Sequence, residues 1–415
     1  FMKIIIDNSI RINNADKNIL KYCKENLEID NPQFAQNERL GFPTYNIPRR
    51  LYWYEKRGND LIIPFGCIKD IYNLYPLKEN YLIKFSNPNK ISYKSNIRLF
   101  DYQEKAKNAA LKAKNGVIVM PAGSGKTQTA LQLISELGLK TLWITHTYDL
   151  LNQSYDRAKS NLEDVGLGKI AAGKIDIGTH ITFATVQTLV KLDLLSFKNE
   201  WDCIVVDEGH RICGTPAQLG MFYKVINSLS CRYKYALTAT PYRNVKGTEK
   251  ALFSLIGPII CEIPKEVVAE KTIKAEIQPI FTDFKIPREA QKTDGTIDYS
   301  KLVTILGEDE KRNDIILDIL KKCKNNYTLV LGDRLTQLKY LQEKIGHGVR
   351  IDGTMTSKKK KEQREQYIQD MRDGKENLLF ATYGLAKEGL DIPRLDRLIL
   401  ASPHRDKATI IQSIR

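Results

Sequence analysis

The stretch Gly116-Val117-Ile118-Val119-Met120-Pro121-Ala122-Gly123-Ser124-Gly125-Lys126-Thr127 decides how the chain is read. Gly116 to Val119 is a short, mostly apolar run of the kind that makes a buried strand, and Gln128 to Leu137 is apolar at helical spacing. A glycine-rich turn therefore joins a strand to a helix, the context a phosphate-binding loop requires. Glycines let the backbone curl so that several N–H groups point inward, and the helix N-terminus adds partial positive charge. Ala122, Gly123, Ser124 and Gly125 would supply that cradle, Lys126 would reach the outer phosphates, and the Thr127 hydroxyl would hold Mg²⁺. The first position of the usual pattern is Met120 instead of glycine.

Working outward, 415 residues are too many for one compact core, and two or three domains are expected. Lysine and arginine outnumber acids 64 to 49, a formal charge of +15 that favours a polyanionic partner, nucleic acid foremost. Seven cysteines are scattered with no close pair at metal-ligand spacing, which reads as reduced thiols in a cytosolic protein. No apolar run approaches the length of a bilayer span.

Residues 1–96 carry no nucleotide motif and form a candidate basic accessory domain of α+β type, with fifteen Lys and Arg against ten Asp and Glu. Ile4 to Ile6 is a predicted strand and Ala15 to Asn26 a predicted helix. Leu51 to Tyr54 and Leu61 to Phe65 are predicted to form a hairpin. Phe42, Tyr45, Tyr52, Trp53 and Tyr54 interleave with Arg49 and Arg50, which suits base stacking beside phosphate contacts; the competing reading is that the rings fill a small core.

From Ile97 onward, strand and helix patterns alternate to the end of the chain, the signature of parallel-sheet α/β domains whose ligands bind at the carboxyl edge. Trp201 to Val206 delivers Asp207-Glu208-Gly209-His210 at its tip. Two adjacent carboxylates there fit a division of labour: Asp207 holds Mg²⁺ through its water shell and Glu208 polarises the water that attacks the γ-phosphorus. Tyr235 to Leu237 runs into Thr238-Ala239-Thr240-Pro241, whose hydroxyls are placed to sense that acidic cluster.

The ordered set Tyr102-Gln103, Pro121 to Thr127, Trp143 to His146 with Leu151 and Gln153, Thr185 to Leu189, Asp207 to His210 and Thr238 to Pro241 resembles superfamily 2 helicases and translocases. The Asp-Glu-Gly-His form of the acidic motif and His146 in the second motif make it look like the XPB-like, type III restriction-like branch. That resemblance implies two tandem RecA-like domains, 97–264 and a C-terminally incomplete 277–415, binding ATP and Mg²⁺ between them. It further implies that Gln103 recognises adenine, that Thr147, Gln153 and Thr185 lie on the nucleic-acid track, and that His210 couples track to hydrolysis, with Thr238 and Thr240 as coupling hydroxyls.

In the second domain, Ile277 to Phe281 and Tyr327 to Leu331 are predicted strands. Leu378 to Ala381 ends in Thr382, which the resemblance places on the nucleic-acid backbone, while Gly389 and Asp391 of the following turn would face the nucleotide. Ile410 to Arg415 enters the family's sixth motif without its glycine, and Arg415, one place early, is the candidate arginine finger. The expected activity is ATP-driven movement along DNA, with an RNA helicase, a motor for a restriction or defence assembly, and a non-catalytic nucleic-acid clamp as rivals.

Overall fold

The computed structural model describes residues 2–404 apart from 86, 87, 89, 214, 215, 242–246, 270–275, 293, 294, 356, 388, 389 and 391. The chain divides into two compact units, residues 1–273 and 274–415.

The first unit opens with β1 (Lys3–Ile6), β2 (Ser9–Asn13), α1 (Lys17–Asn26), β3 (Glu28–Asp30), α2 (Pro32–Leu40), β4 (Arg50–Tyr52), β5 (Glu55–Arg57), β6 (Asp60–Pro64), α3 (Ile68–Leu74) and β7 (Tyr81–Ile83). Its sheet runs β5-β6-β2-β1-β7, antiparallel except for the β1–β7 pair. Asp16 caps α1 by accepting from the Asn18 and Ile19 amides, so the helix starts later than its apolar pattern alone suggests. The predicted hairpin is corrected: β6 turns back on β5 across Gly58 and Asn59, whereas Leu51 and Tyr52 belong to β4, which pairs with β3. Glu28, inward-leaning beside Tyr54 and Arg50, draws β4 away through hydrogen bonds of 2.6 and 3.2 Å. The aromatic residues divide between both readings, since Trp53 is buried while Phe42, Tyr45 and Tyr52 are exposed.

Next come β8 (Lys94–Ser95), α4 (Asp101–Ala113), β9 (Asn115–Val119), α5 (Lys126–Leu137), β10 (Thr141–Thr145), α6 (Tyr148–Asn161), β11 (Leu162–Glu163), β12 (Leu167–Ala171), β13 (Lys174–Ile175), β14 (Ile181–Thr185) and α7 (Val186–Leu189). They are followed by β15 (Cys203–Val206), α8 (Pro216–Ser228), β16 (Tyr233–Thr238), α9 (Glu249–Ile256), β17 (Ile259–Glu262) and α10 (Lys265–Ala269). The large sheet has the order β13-β12-β14-β10-β15-β16-β9-β17, parallel throughout except at β13. Alternate side chains leave opposite faces. Val117, Val119, Leu142, Ile144, Ile204, Val206 and Ala236 enter one core. Ile118, Trp143, Phe183, Val205, Tyr235 and Leu237 enter the other. Burial on both faces is why these strands read as continuous apolar runs.

The first of these cores does not stop at the sheet. Ile4, Ile10 and Leu61 of the N-terminal sheet, with Trp53 and Phe65 from the segments after β4 and β6, share it with Leu252 and Leu255 of α9. Contact there is close: a Cβ on Gly66 would meet the carbonyl oxygens of Phe253 and Ser254 at 2.5 Å, so only glycine lets the backbones approach. Lys234 of β16 is fully buried at this junction, donating to the Asn8 carbonyl at 3.3 Å with its ammonium 4.6 Å over the Phe65 ring.

The second unit contains α11 (Tyr299–Glu308), α12 (Glu310–Lys322), β18 (Thr328–Gly332), α13 (Leu335–Ile345), β19 (Val349–Ile351), α14 (Lys358–Asp373), β20 (Leu378–Thr382), α15 (Tyr383–Lys387) and β21 (Arg397–Leu400). Its parallel sheet, β19-β20-β18-β21, separates two small cores. The strand expected at Ile277 to Phe281 is not formed; Ile277 and Phe281 are exposed and no strand is assigned there. Apolar, β-branched residues are a weak signal when no partner strand is supplied. All seven cysteines are free thiols. Among the described residues no helix is long and apolar enough to cross a membrane.

Burial brings the Lys234 ammonium down to about 8 from its ordinary 10.5, with Cys231 and Asp7 opposing the shift. Between those two values the unfolded chain holds the proton and the folded chain has released it, so this residue's penalty is full below pH 8 and fades as pH rises. Lys234→Met should therefore be more stable than wild type in urea at pH 7.5, with the difference shrinking by pH 10. A difference that is constant with pH would contradict this assignment.

Candidate functional site

Strand order brings the informative loops together. The glycine-rich turn follows β9, the acidic tip follows β15, and β16 with Thr238 lies hydrogen-bonded between them. On the other side of β15, β10 and β14 deliver Thr147 and Thr185 to the same carboxyl edge.

The turn is held by its own residues. Met120 is fully buried and its N–H donates to the Thr238 carbonyl at 2.9 Å, continuing the sheet, so this position does not require glycine. Gly123 and Gly125 have φ of +76° and +75°, the left-handed region where a side chain is strained. The Ser124 hydroxyl donates to the Pro121 carbonyl at 2.6 Å. Tyr102 and Gln103 both donate to the Ser124 carbonyl, at 3.2 and 2.8 Å. The Gln103 side-chain oxygen Oε1 also accepts from the Phe100 main-chain amide at 2.8 Å, so the residue closes the start of α4 and braces the turn. Gly125 is where α5 begins, leaving that helix's first amides pointed into the turn.

Across the gap, Lys126 Nζ lies 3.8 Å from Glu208 Oε1. Glu208 Oε2 is 3.2 Å from His210 Nδ1, which is 3.1 Å from the Thr238 hydroxyl, and that hydroxyl bonds the Thr240 carbonyl at 3.2 Å and its amide at 3.1 Å. Glu208 sits at φ +51°, outside the usual region for a residue with a side chain. A Cβ on Gly209 would lie 2.7 Å from that of Ala236, which is why the acidic tip carries glycine where it crosses β16.

The two carboxylates differ electrostatically. Burial and the neighbouring Glu208 charge push Asp207 above the usual carboxylate range, against the pull of Lys126. Burial alone would also raise Glu208, but Lys126 and His210 overcome it and hold the group low. Glu208 is thus kept ionised, while Asp207 gains most from a bound cation. Thr127 offers a hydroxyl and Asp207 one buried carboxylate, and no cluster of three or more His, Cys, Asp or Glu that would cage a metal is found among the described residues. One hydroxyl and one carboxylate fit Mg²⁺, which keeps much of its water and takes the rest of its oxygens from substrate phosphates.

Two further residues reach the site unannounced by any motif. The Ser154 hydroxyl donates to Asp207 Oδ2 at 3.3 Å, and Arg157 Nη1 donates to the Thr127 hydroxyl at 3.2 Å. Both lie on α6, three residues apart and so on one face. Gln187 joins the other half of the edge, its amide donating to the His146 carbonyl at 2.8 Å. Thr147 caps α6, accepting from the Leu150 amide at 3.3 Å, and the Thr185 and Thr188 hydroxyls are 2.9 Å apart. Gln153 is half-buried on α6. Thr382 ends β20 in the second unit. Gly389, Asp391 and Arg415 lie outside the described residues.

A glycine-rich turn opening a helix beside an acidic strand tip, on a parallel sheet followed by a second parallel-sheet unit, is the arrangement of the nucleoside-triphosphate-hydrolysing class. Residues 96–243 match the family model described as the type III restriction enzyme, res subunit, and residues 311–415 match the helicase conserved C-terminal domain. The chain is 27% identical to the DNA 3'-5' translocase XPB2 of Sulfurisphaera tokodaii over 77% of its own length and 78% of the relative's. It is 26% identical to a protein of Acanthamoeba polyphaga mimivirus provisionally named an ATP-dependent RNA helicase, over 99% of this chain and 75% of that one. In fold it resembles Saccharomyces cerevisiae Dbp5 bound to RNA and ADP BeF3, with a TM-score of 0.55 at 16% identity, covering 76% of this chain and 80% of the other. The chain belongs to the superfamily 2 helicases and translocases, in the XPB-like, type III restriction-like branch. It is an ATP-hydrolysing enzyme that acts on nucleic acid.

Gly125→Ala should test the turn directly, because its Cβ would lie 2.3 Å from Gln103 Nε2 at a φ of +75°. Fluorescent ATP titration is expected to show affinity down roughly tenfold or more, with strain of about 1–3 kcal/mol also lowering the melting temperature by a few degrees. Wild-type affinity in this variant would mean that the turn does not cradle the nucleotide.

Proposed function

We propose that the chain is a DNA translocase or helicase in which Lys126, Thr127, Asp207 and Glu208 form the hydrolytic site. The observation that carries this reading is the 3.8 Å approach of Lys126 to Glu208, made by loops from two strands with β16 between them. Lys126 and the amides opening α5 grip the outer phosphates. Thr127 and Asp207 hold Mg²⁺, which when bound neutralises charge on the transferred phosphoryl group. Glu208, kept ionised by Lys126 and His210, accepts a hydrogen bond from the attacking water and orients it in line. The chain Glu208, His210, Thr238, Thr240 relays the state of that water to the next loop on the edge. Gln103, already bonded to the turn, ties adenine recognition to the turn's position.

Thr147, Gln153 and Thr185 form the grip on a sugar-phosphate backbone, with the N-terminus of α6 offering amides to a phosphate. Thr382 acts likewise in the second unit. The +15 formal charge favours a nucleic acid of either kind, and DNA is favoured over RNA because the Sulfurisphaera relative is named for DNA translocation. Phe42, Tyr45 and Tyr52, exposed on the accessory region, are offered as stacking surfaces for bases. The region itself is integral to the first unit's core, so point variants test it and truncation at residue 96 does not.

Lys126→Ala and Glu208→Gln are expected to lower nucleic-acid-stimulated ATP turnover by about 100-fold or more, Glu208→Gln retaining ATP binding. Stimulation should be strongest with DNA, and DNA affinity should fall steeply between low and moderate salt. Stronger stimulation by RNA would move the chain to the RNA helicases, and undiminished turnover in both variants would dismiss the site.

A further inference from the structure

Helix α6 touches both halves of the carboxyl edge. Its N-cap, Thr147, stands at the end of β10 among the residues proposed to grip a nucleic-acid backbone. Ser154 lies seven residues on, two helical turns along the same side, and is 2% exposed. Its hydroxyl bonds Asp207, and three residues further Arg157 bonds Thr127. These are the two side chains assigned to Mg²⁺. One helix therefore holds both proposed metal ligands by hydrogen bonds while presenting its other end to the track.

The chemistry of the Arg157 bond makes this more than bracing. A guanidinium has donors and no acceptor, so it bonds the Thr127 hydroxyl through an oxygen lone pair. A divalent cation needs a lone pair on that same oxygen, and the arginine's own positive charge lies beside it. The hydroxyl keeps a second lone pair, so this bond does not itself bar a cation; the positive charge beside the oxygen does oppose one, and metal binding is tighter when Arg157 withdraws. The far end of α6 is tethered: the Asn96 amide donates to the Asn161 carbonyl at 2.9 Å, and β11 pairs with β8. On its outer side Lys169 donates to Asn152 at 2.9 Å and sits 3.8 Å over the Tyr155 ring. Leu151 and Ala158 are fully buried, so the helix is packed as a rigid rod and a load at Thr147 is felt at Ser154 and Arg157.

We propose that α6 links occupancy of the nucleic-acid track to occupancy of the metal site, with Ser154 and Arg157 as positioning residues: a bound strand loads the helix at Thr147, the long Arg157 side chain swings off Thr127, and the short, buried Ser154 side chain keeps its bond to Asp207. This rests on the assignment of Thr127 and Asp207 to Mg²⁺ and of Thr147 to the strand. The device makes metal-nucleotide binding tighter on nucleic acid. It accounts for stimulated hydrolysis without a direct contact between strand and phosphates.

The test uses Mn²⁺ as a spin probe, titrated into the full chain with ADP, with and without a single-stranded DNA oligonucleotide. In wild type the oligonucleotide should tighten Mn²⁺ binding by roughly fivefold or more, the usual lower range of coupling between sites. In Arg157→Ala binding should already be tight without DNA, and the oligonucleotide should add little. Arg157→Lys, which keeps a donor and a charge, should recover part of the coupling and guards against a folding defect. Ser154→Ala should weaken Mn²⁺ binding in both conditions. An unchanged oligonucleotide effect in Arg157→Ala, or none in wild type, overturns the proposal. Asp207→Asn separates the layers: if it leaves Mn²⁺ affinity unaltered, the metal assignment itself fails.

Discussion

Everything in the first unit depends on the order of three parallel strands, with β16 hydrogen-bonded between β9 and β15. Parallel strands all point their carboxyl ends to one edge, so loops far apart in sequence meet there. Lys126 and Glu208 are brought to 3.8 Å by that rule alone. The cost falls on the backbone at Glu208, held in the left-handed region, while Gly123 and Gly125 take up that region without strain and Gly209 has no room for a side chain against Ala236. A sheet buried on both faces is rigid enough to hold that strain.

The same sheet divides labour by position. Strands β9, β16 and β15 carry the residues suited to a triphosphate, and β10 and β14 carry hydroxyls and amides suited to a backbone of phosphates. Helix α6 is the element with side chains in the first group and its cap in the second. The accessory region is continuous with the core on one face of this sheet, through Phe65, Gly66 and the buried Lys234. Whatever that region binds is therefore held in fixed register with the first motor lobe.

Much of this was legible in the residues. Apolar runs ending in Asp207-Glu208 or in the glycine turn announce themselves because buried parallel strands tolerate few polar side chains, and a phosphate cradle needs glycine at set places. Parallel α/β organisation from Ile97 onward follows from the same alternation, and the sheets bear it out. Met120 looked anomalous only until its amide was seen to continue the sheet. Other features were hidden because they depend on partners distant in sequence. Leu51 and Tyr52 pair with β3 on account of Glu28, and Ile277 to Phe281 has strand composition without a strand beside it. Ser154 and Arg157 belong to no recognisable pattern; only the packing of α6 against α5, β10 and β14, which brings them to Asp207 and Thr127, gives them meaning.

The central claim is that Lys126 and Glu208 act on one bound triphosphate. A double-mutant cycle on kcat/KM for DNA-stimulated ATP hydrolysis, using Lys126→Ala, Glu208→Gln and the pair, measures this most directly. Groups that act as a unit are strongly non-additive, so the double variant should be scarcely slower than the worse single variant. If the two losses simply multiply, the residues work independently and the account of a shared site is wrong.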